Sequence, residues 1–132
     1  MPQLRSIVVT PERTVCDQAA DFVALTLFDG EIGIAPGHTP LMGRLGYGEM
    51  RITQGQRTDR YYVEGGFIEV LRDVVSVLTN RAVPAEQIDE AVAEEQLLSA
   101  QARPATTPEL LAARDRAVLQ SRAQLRVARR AE

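Results

Sequence analysis

The sequence predicts an α+β chain, with a β-sandwich over residues 1–84 followed by a two-helix antiparallel hairpin over residues 85–132. Two observations predict it. Residues 1–83 gather Val, Ile, Thr and Tyr into short runs punctuated by Gly, Pro and Asp-Gly, which is the grammar of strands and turns. From Pro84 onward the composition turns to Ala, Glu, Gln, Leu and Arg with no Gly at all, and these residues favour helix.

Candidate strands lie at 4–10, 14–17, 22–28, 31–34, 48–53, 60–63, 67–71 and 74–79. Gln54-Gly55-Gln56 and Arg72-Asp73 fall between runs, where hairpin turns belong. Short strands at this spacing, with no helical period between them, suggest two packed sheets rather than βαβ units. In the second half, Pro84 and Pro108 sit at first helical positions and Thr107 is a good N-cap. Arg103-Pro104-Ala105-Thr106-Thr107 breaks the stretch, giving helices 85–102 and 108–130.

Advancing 100° per residue places the apolar faces. The first helix gathers Ala85, Ile88, Ala91, Val92, Leu98 and Ala102; the second gathers Leu110, Leu111, Ala113, Ala117, Val118, Leu125 and Ala128. Alanine dominates both, so they bury roughly a fifth to a third of what Leu-rich faces would. The hairpin is expected to be a weakly held appendage. Charge divides the same way. Glu86, Asp89, Glu90, Glu94 and Glu95 stand on the first helix, and Arg114, Arg116, Arg122, Arg126, Arg129 and Arg130 on the second. The second helix is then either a solvated face helped by cations near its C-terminus, or a basic element that can pair with its acidic neighbour or leave for an acidic partner. Exposed ion pairs contribute only about 0.2–1 kcal/mol each and cannot lock it shut.

Several chemistries are excluded. All 15 basic residues are Arg, so there is no Lys for a phosphate-binding P-loop or a Schiff base. Cys16 and His38 are single, which rules out a Cys/His structural zinc site and leaves one weak nucleophilic pairing. A net charge of −3 argues against a nucleic-acid surface. No apolar run approaches the roughly 20 residues needed to span a bilayer, and the first residues lack the layout of a secretory signal. Asp29 and Glu31 are the remaining candidate acid pair, more simply read as a turn acid and an interface acid.

The segment Asp29-Gly30-Glu31-Ile32-Gly33-Ile34-Ala35-Pro36-Gly37-His38-Thr39-Pro40-Leu41 resembles the G-E-x-G-I-x-P-G-H-x-P-L signature of epsilon subunits of bacterial F-type ATP synthases. Gly48-Glu49-Met50-Arg51-Ile52 is similar to that family's G-x-x-R-I strand, and Glu64-Gly65-Gly66-Phe67-Ile68-Glu69-Val70 to its glycine-pair hairpin. The resemblance continues through Val74–Leu78, Ile88-Asp89-Glu90-Ala91 and Ala123-Gln124-Leu125-Arg126-Val127, covering nearly the whole chain.

The resemblance implies a ten-stranded β-sandwich and a two-helix C-terminal domain. It implies a non-catalytic central-stalk subunit of a proton-translocating synthase, without a cofactor of its own. The sandwich would dock on the gamma subunit and the c-ring and rotate with them, peripheral to the cytoplasmic face of the bacterial plasma membrane. The helices would fold on the sandwich, or extend among the alpha and beta subunits and block ATP hydrolysis. Glu31, Ile32, Pro36, His38, Pro40 and Leu41 are the candidate rotor and c-ring contacts, although as a structural turn the segment needs no partner. Arg114, Arg116, Arg122, Arg126, Arg129 and Arg130 are the candidate inhibitory residues. Some family members bind ATP through I/L-D-x-x-R-A. Here Ile88 and Asp89 match, but Val92 replaces the arginine, so ATP binding is expected to be weak or absent. Arg122 or Arg126 are the candidates to replace the lost guanidinium. A stand-alone nucleotide sensor is the alternative reading, and Val92 counts against it.

Overall fold

The computed structural model describes residues 2–130, so positions 131–132 of the expected helical region lie outside the described residues. Strands β1 (Leu4–Val9), β2 (Thr14–Ala20), β3 (Phe22–Leu27), β4 (Gly30–Ile34), β5 (Leu41–Gln54), β6 (Arg57–Glu64), β7 (Phe67–Leu71), β8 (Val74–Leu78) and β9 (Ala82–Pro84) come first. A single 3-10 turn, Ala85–Gln87, leads into α1 (Glu90–Gln101) and α2 (Pro108–Arg130).

The strands form two sheets that share β5. Its first residues, Leu41 to Arg44, pair with β7 in the sheet β2-β1-β8-β7-β5. Its later residues pair with β3 and β6 in the second sheet, which β4 and β9 edge. All pairings are antiparallel except β1 with β8. The crossing corrects two expectations. The described residues hold nine strands, not ten, because Leu41–Gln54 runs unbroken where ten would need a division. The strand expected at 48–53 is only the second half of it, since Gly43 and Gly46 disguise the first half as loop. Gly46 is required, since its Cβ would lie 2.7 Å from the Leu27 carbonyl oxygen, whereas a Cβ at Gly43 would make only ordinary contacts.

Alternation buries one side of each strand. Leu4, Val8, Ile68, Val70, Val75 and Val77 from one sheet meet Val23, Leu25, Ile34, Met50, Ile52 and Val63 from the other. Aliphatic side chains fill this core, as the scarcity of aromatics requires. Both expected turns are present. Arg72 and Asp73 take φ of 52° and 62° between β7 and β8, the double left-handed geometry of a tight hairpin. At the β5–β6 turn the Gly55 N–H donates to Asp21 at 2.6 Å. That bond, with one from Gln3, holds the Asp21 carboxyl below its ordinary range.

The helical half departs from expectation at its start. Pro84 ends β9 rather than beginning a helix, and its missing N–H costs nothing at a strand end. The first helix begins at Glu90 instead of 85, capped by Asp89, whose carboxylate accepts the Val92 N–H at 3.2 Å. The second runs Pro108–Arg130, with the Leu110 N–H on Thr107 Oγ1 at 3.1 Å. The helix faces are also corrected. Helix α1 buries Ala93 and Ala100 with Leu97 half-buried, while Ala91, Val92, Leu98 and Ala102 are exposed. Helix α2 buries Ser121, Ala123, Gln124, Leu125, Val127 and Ala128, leaving Leu110, Leu111 and Ala113 exposed. The alanines of α1 fall on two opposite sides, Ala91 against Ala93 and Ala100, so composition does not select a face; contact with α2 does.

Gly65 and Gly66 form the bend between β6 and β7, with φ of 61° and 100°. A Cβ on Gly66 would sit 1.9 Å from the Leu78 carbonyl oxygen. At Gly37, with φ of 85°, a Cβ would meet nothing within 4 Å. Gly66→Ala should therefore destabilise by about 3 kcal/mol or more, lowering Tm by roughly 10 °C. Gly37→Ala should cost only the left-handed backbone penalty of about 1–2 kcal/mol. Thermal melts followed by circular dichroism check this, and equal shifts would contradict the close-approach account.

Candidate functional site

The six candidate contacts of the signature segment do not form one patch. Glu31 is exposed at the turn end of the β3–β4 hairpin, paired with Thr26. Pro36 and His38 follow the far end of β4, roughly 13 Å away at 3.3 Å per residue. There the Gly37 N–H donates to Asp73 at 2.8 Å, tying the loop to the β7–β8 turn. His38 serves that turn: its backbone N–H donates to Ala35, and Nδ1 donates to the Thr39 carbonyl at 2.7 Å. Pro40 is exposed, whereas Ile32 and Leu41 are half-buried against the sandwich core.

The exposed apolar surface lies elsewhere, on the outer side of the β1-β8-β7-β5 sheet. Met42 is 76% exposed, Phe67 60% and Leu78 55%. Phe67 pairs with Leu78 across β7–β8 and with Arg44 across β5–β7, so these side chains share one face with Met42. The Arg44 guanidinium stands 5.3 Å from the centre of the Phe28 ring, which extends the strip to the β3–β4 turn beside Glu31. Glu69 stands opposite Met42 and Arg44 opposite Phe67, so this exposed apolar area is edged with charge; it is a candidate interaction surface.

The helical hairpin is held to the sandwich through α2, while α1 packs chiefly on α2. A second, small core contains Tyr62, Ala85, Ala123 and Val127, flanked by Tyr47 and Ile88. Burial of Val127 and Ala123 supplies about 2–4 kcal/mol from the α2 side. Two carboxylates add to it. Glu64 Oε1 accepts from Tyr62 Oη at 3.0 Å, from Gln120 Nε2 at 2.5 Å and from Gln124 Nε2 at 3.4 Å. Arg81 Nη1 stands 3.7 Å from the same oxygen. Glu49, whose side chain is 3% exposed, meets Arg51 at 2.8 Å and Arg60 at 2.6 Å. Arg60 also donates through Nη1 to the Arg130 carbonyl at 2.6 Å, placing a cation at the C-terminal end of α2, where the helix dipole favours it.

A hydrogen bond to a charged group contributes about 1.5–3 kcal/mol. The short bonds from Gln120 and Arg60 therefore weigh at least as much as the apolar contact. Depriving Glu49 of Arg60 would leave Arg51 as its remaining partner and cost about 1–3 kcal/mol for the lost charged hydrogen bond. Burial and the neighbouring Glu64 push the Tyr62 hydroxyl well above the usual phenol range, so it remains a donor.

Of the candidate inhibitory arginines, Arg116, Arg122, Arg126, Arg129 and Arg130 are exposed and Arg114 is half-buried beside Asp115. Arg129 meets Glu90 of α1 at 3.0 Å, the pairing of unlike helices that the charge division suggests. A cleft of about 580 Å³ separates the β3–β4 hairpin from α2, with Arg44, Arg126 and Arg130 on its walls. Of the nucleotide candidates, Ile88 packs against the small core and the Asp89 carboxylate caps α1. Val92 lines a groove with Gln96, Ser99 and Gln124, while Arg122 and Arg126 line another with Leu97 on the opposite side of the helix seam.

Sequence reasoning missed Met42, Phe67, Glu49, Arg60, Glu64, Gln120 and Gln124. Signals existed for some. Glu49 sits between inward positions of an apolar strand, and Gln120 and Gln124 are one helical turn apart. The Cys16 thiol is pushed up by burial, which disfavours the thiolate. No cluster of three or more metal-ligating side chains occurs among the described residues.

Residues 3–85 match the family model described as ATP synthase, Delta/Epsilon chain, beta-sandwich domain. An ATP synthase epsilon chain of Rhodopirellula baltica is 48% identical over 96% of this chain and 98% of its own length. That of Granulibacter bethesdensis is 38% identical over 83% and 82%. A chain in the Euglena gracilis mitochondrial ATP synthase (OSCP/F1/c-ring, rotational state 1) superposes with a TM-score of 0.85 at 23% identity, covering 93% of this chain and 80% of that one. One in the Tetrahymena thermophila mitochondrial ATP synthase central stalk/c-ring gives 0.75 at 10% identity, covering 96% and 97%; both likenesses concern the fold. With the sandwich matched over residues 3–85 and a relative aligned through the helices as well, the chain belongs to the epsilon family of ATP synthase subunits, accessory rather than catalytic members of that complex.

Proposed function

We propose that this chain is a central-stalk subunit that docks its sandwich on the gamma subunit and the c-ring and brakes ATP hydrolysis with its helices. The apolar strip of Met42, Phe67 and Leu78 carries the docking half of this reading. It is a sheet face without a covering layer, rigid because both neighbouring strands are fully paired. The gamma subunit is its partner in the proposal. Glu31, at the adjoining β3–β4 turn, then faces the polar loops of the c-ring. The subunit is peripheral, on the cytoplasmic face, and reaches the membrane through those partners; no described helix is long and apolar enough to cross it.

The braking half rests on the arrangement of α2. Its exposed arginines form a face already charged for acidic segments of the alpha and beta subunits. Its attachment to the sandwich is small enough to be exchanged for another. Moving a hairpin from 1:99 to 99:1 takes about 5.5 kcal/mol of differential binding, which a handful of surface ion pairs does not supply. Apolar contact of the exposed Leu110, Leu111 and Leu119 with the catalytic subunits makes up the difference.

Met42→Glu with Phe67→Glu should weaken capture by the gamma–c-ring assembly at least tenfold, because two charges would enter an apolar contact. Unchanged capture in a quantitative pull-down would remove this face from the interface. Deleting residues 89–132 keeps Ala85 and Ile88 over Tyr62, and the synthase should then assemble normally but hydrolyse ATP several-fold faster. An unchanged hydrolysis rate means the helices do not brake. The full chain should show no ATP affinity tighter than millimolar by calorimetry. Val92 offers no donor, and Arg122 and Arg126 stand on the other side of the seam. A micromolar isotherm would overturn that expectation.

A further inference from the structure

We propose that Glu64 is the charge-dependent catch that holds the helical hairpin on the sandwich, acting through Gln120 and Gln124 of α2. This rests on the reading above that the hairpin exchanges between two arrangements, and it names what sets their balance.

The geometry singles out this residue. Glu64 ends β6, where its backbone is immobilised by bonds to Thr79 Oγ1 and the Arg81 carbonyl. The glycine bend follows at once. A single carboxylate oxygen then gathers Tyr62, Gln120 and Gln124, with Arg81 just beyond. One oxygen shared by this many donors is favourable when it carries charge, because each donor lowers the energy of an anion more than that of a neutral carbonyl. The side chain is 12% exposed, so water competes poorly for it.

Topology makes the catch decisive. Helix α1 packs chiefly on α2 and joins the sandwich through the 3-10 turn, so holding α2 holds the hairpin. The first turns of α2 are exposed and rest on no sheet. Attachment is confined to the stretch from Ala117 to Arg130, with Glu64 gripping its middle and Arg60 its end. Gln120 and Gln124 are neutral donors that water satisfies when the helix leaves, so release strands nothing buried on α2. Glu64, left behind beside Arg81, keeps a cationic neighbour. Both halves of the catch tolerate separation, which a buried structural pair does not.

The test uses the isolated full chain, so no synthase partner enters it. Gln120→Glu sets a second carboxylate against Glu64 while leaving α2 intact as a helix. Hydrogen exchange in peptides covering residues 117–128 should accelerate on the order of tenfold or more. Exchange in β7 and β8 should not change. Adding Glu64→Gln reverses the two roles, amide on the sandwich and carboxylate on the helix, and should restore protection to within about threefold of the parent. A catch of this kind predicts that rescue; simple damage to the interface does not. Unaltered exchange in Gln120→Glu, failure of the double variant to recover, or acceleration that spreads equally into β7 and β8 would each overturn the proposal. If the exchange results hold while deletion of the helices leaves hydrolysis unchanged, the catch stands and the brake falls.

Discussion

At Gly66 the backbone of the β6–β7 bend passes so near the Leu78 carbonyl that a single added carbon would lie 1.9 Å from its oxygen. That contact organises both working surfaces. It lets the chain leave the sheet that faces α2 and enter the one that faces outward within two residues. Glu64, before the bend, therefore points to the helices, and Phe67, after it, lies on the apolar outer strip. Strand β5 makes the complementary passage between the same sheets, with Tyr47 opposite Glu64 and Arg44 opposite Phe67. The exposed apolar face and the helix-holding face are thus opposite sides of one corner.

That corner assigns different physics to the two faces. The outer strip is apolar and unshielded, suited to a partner that stays, since burying such area releases water and requires no charge to be desolvated. The helix side combines a small apolar core with two carboxylates and several donors. Its binding energy is modest, directional and satisfiable by water on release. The proposed function, one neighbour held continuously and another reversibly, calls for that asymmetry.

Much of this was legible in the sequence, and the limits were physical. The turns at Gly55 and Arg72-Asp73, the Thr107 cap and the glycine bend follow from local backbone chemistry, which short segments determine. Strand β5 was half hidden because Gly43 and Gly46 read locally as loop, and Gly46 is needed for close approach to the Leu27 carbonyl. The start of α1 was misplaced because Pro84 suits a strand end as well as a first helical position, and only pairing of Val83 with Tyr62 decides between them. Helix α1 had no legible inner face, its alanines falling on two opposite sides. The signature segment drew attention to Glu31 and His38 by its pattern, yet Ile32 and Leu41 turn inward. Met42 and Phe67 went unnoticed because exposure of an apolar side chain is a property of the assembled sheet. Glu49 and Glu64 were given no role, since burial of an acid shows only when its partners, distant in sequence, are placed around it.

The use of carboxylates rather than leucines on the helix side has a reason if the hairpin exchanges as proposed. An α2 face rich in Leu would gain about three- to fivefold more apolar area and bind far more firmly. A face of bare alanines would barely hold, given the conformational freedom that docking removes. Placing Gln120, Gln124 and the Arg130 carbonyl against Glu64 and Arg60 gives intermediate strength. Those bonds lose energy steeply over the first ångströms of separation, whereas water then takes their places. A helix held in this way is well ordered while docked and strands no buried polar group on release, which is what the proposed exchange of the hairpin requires.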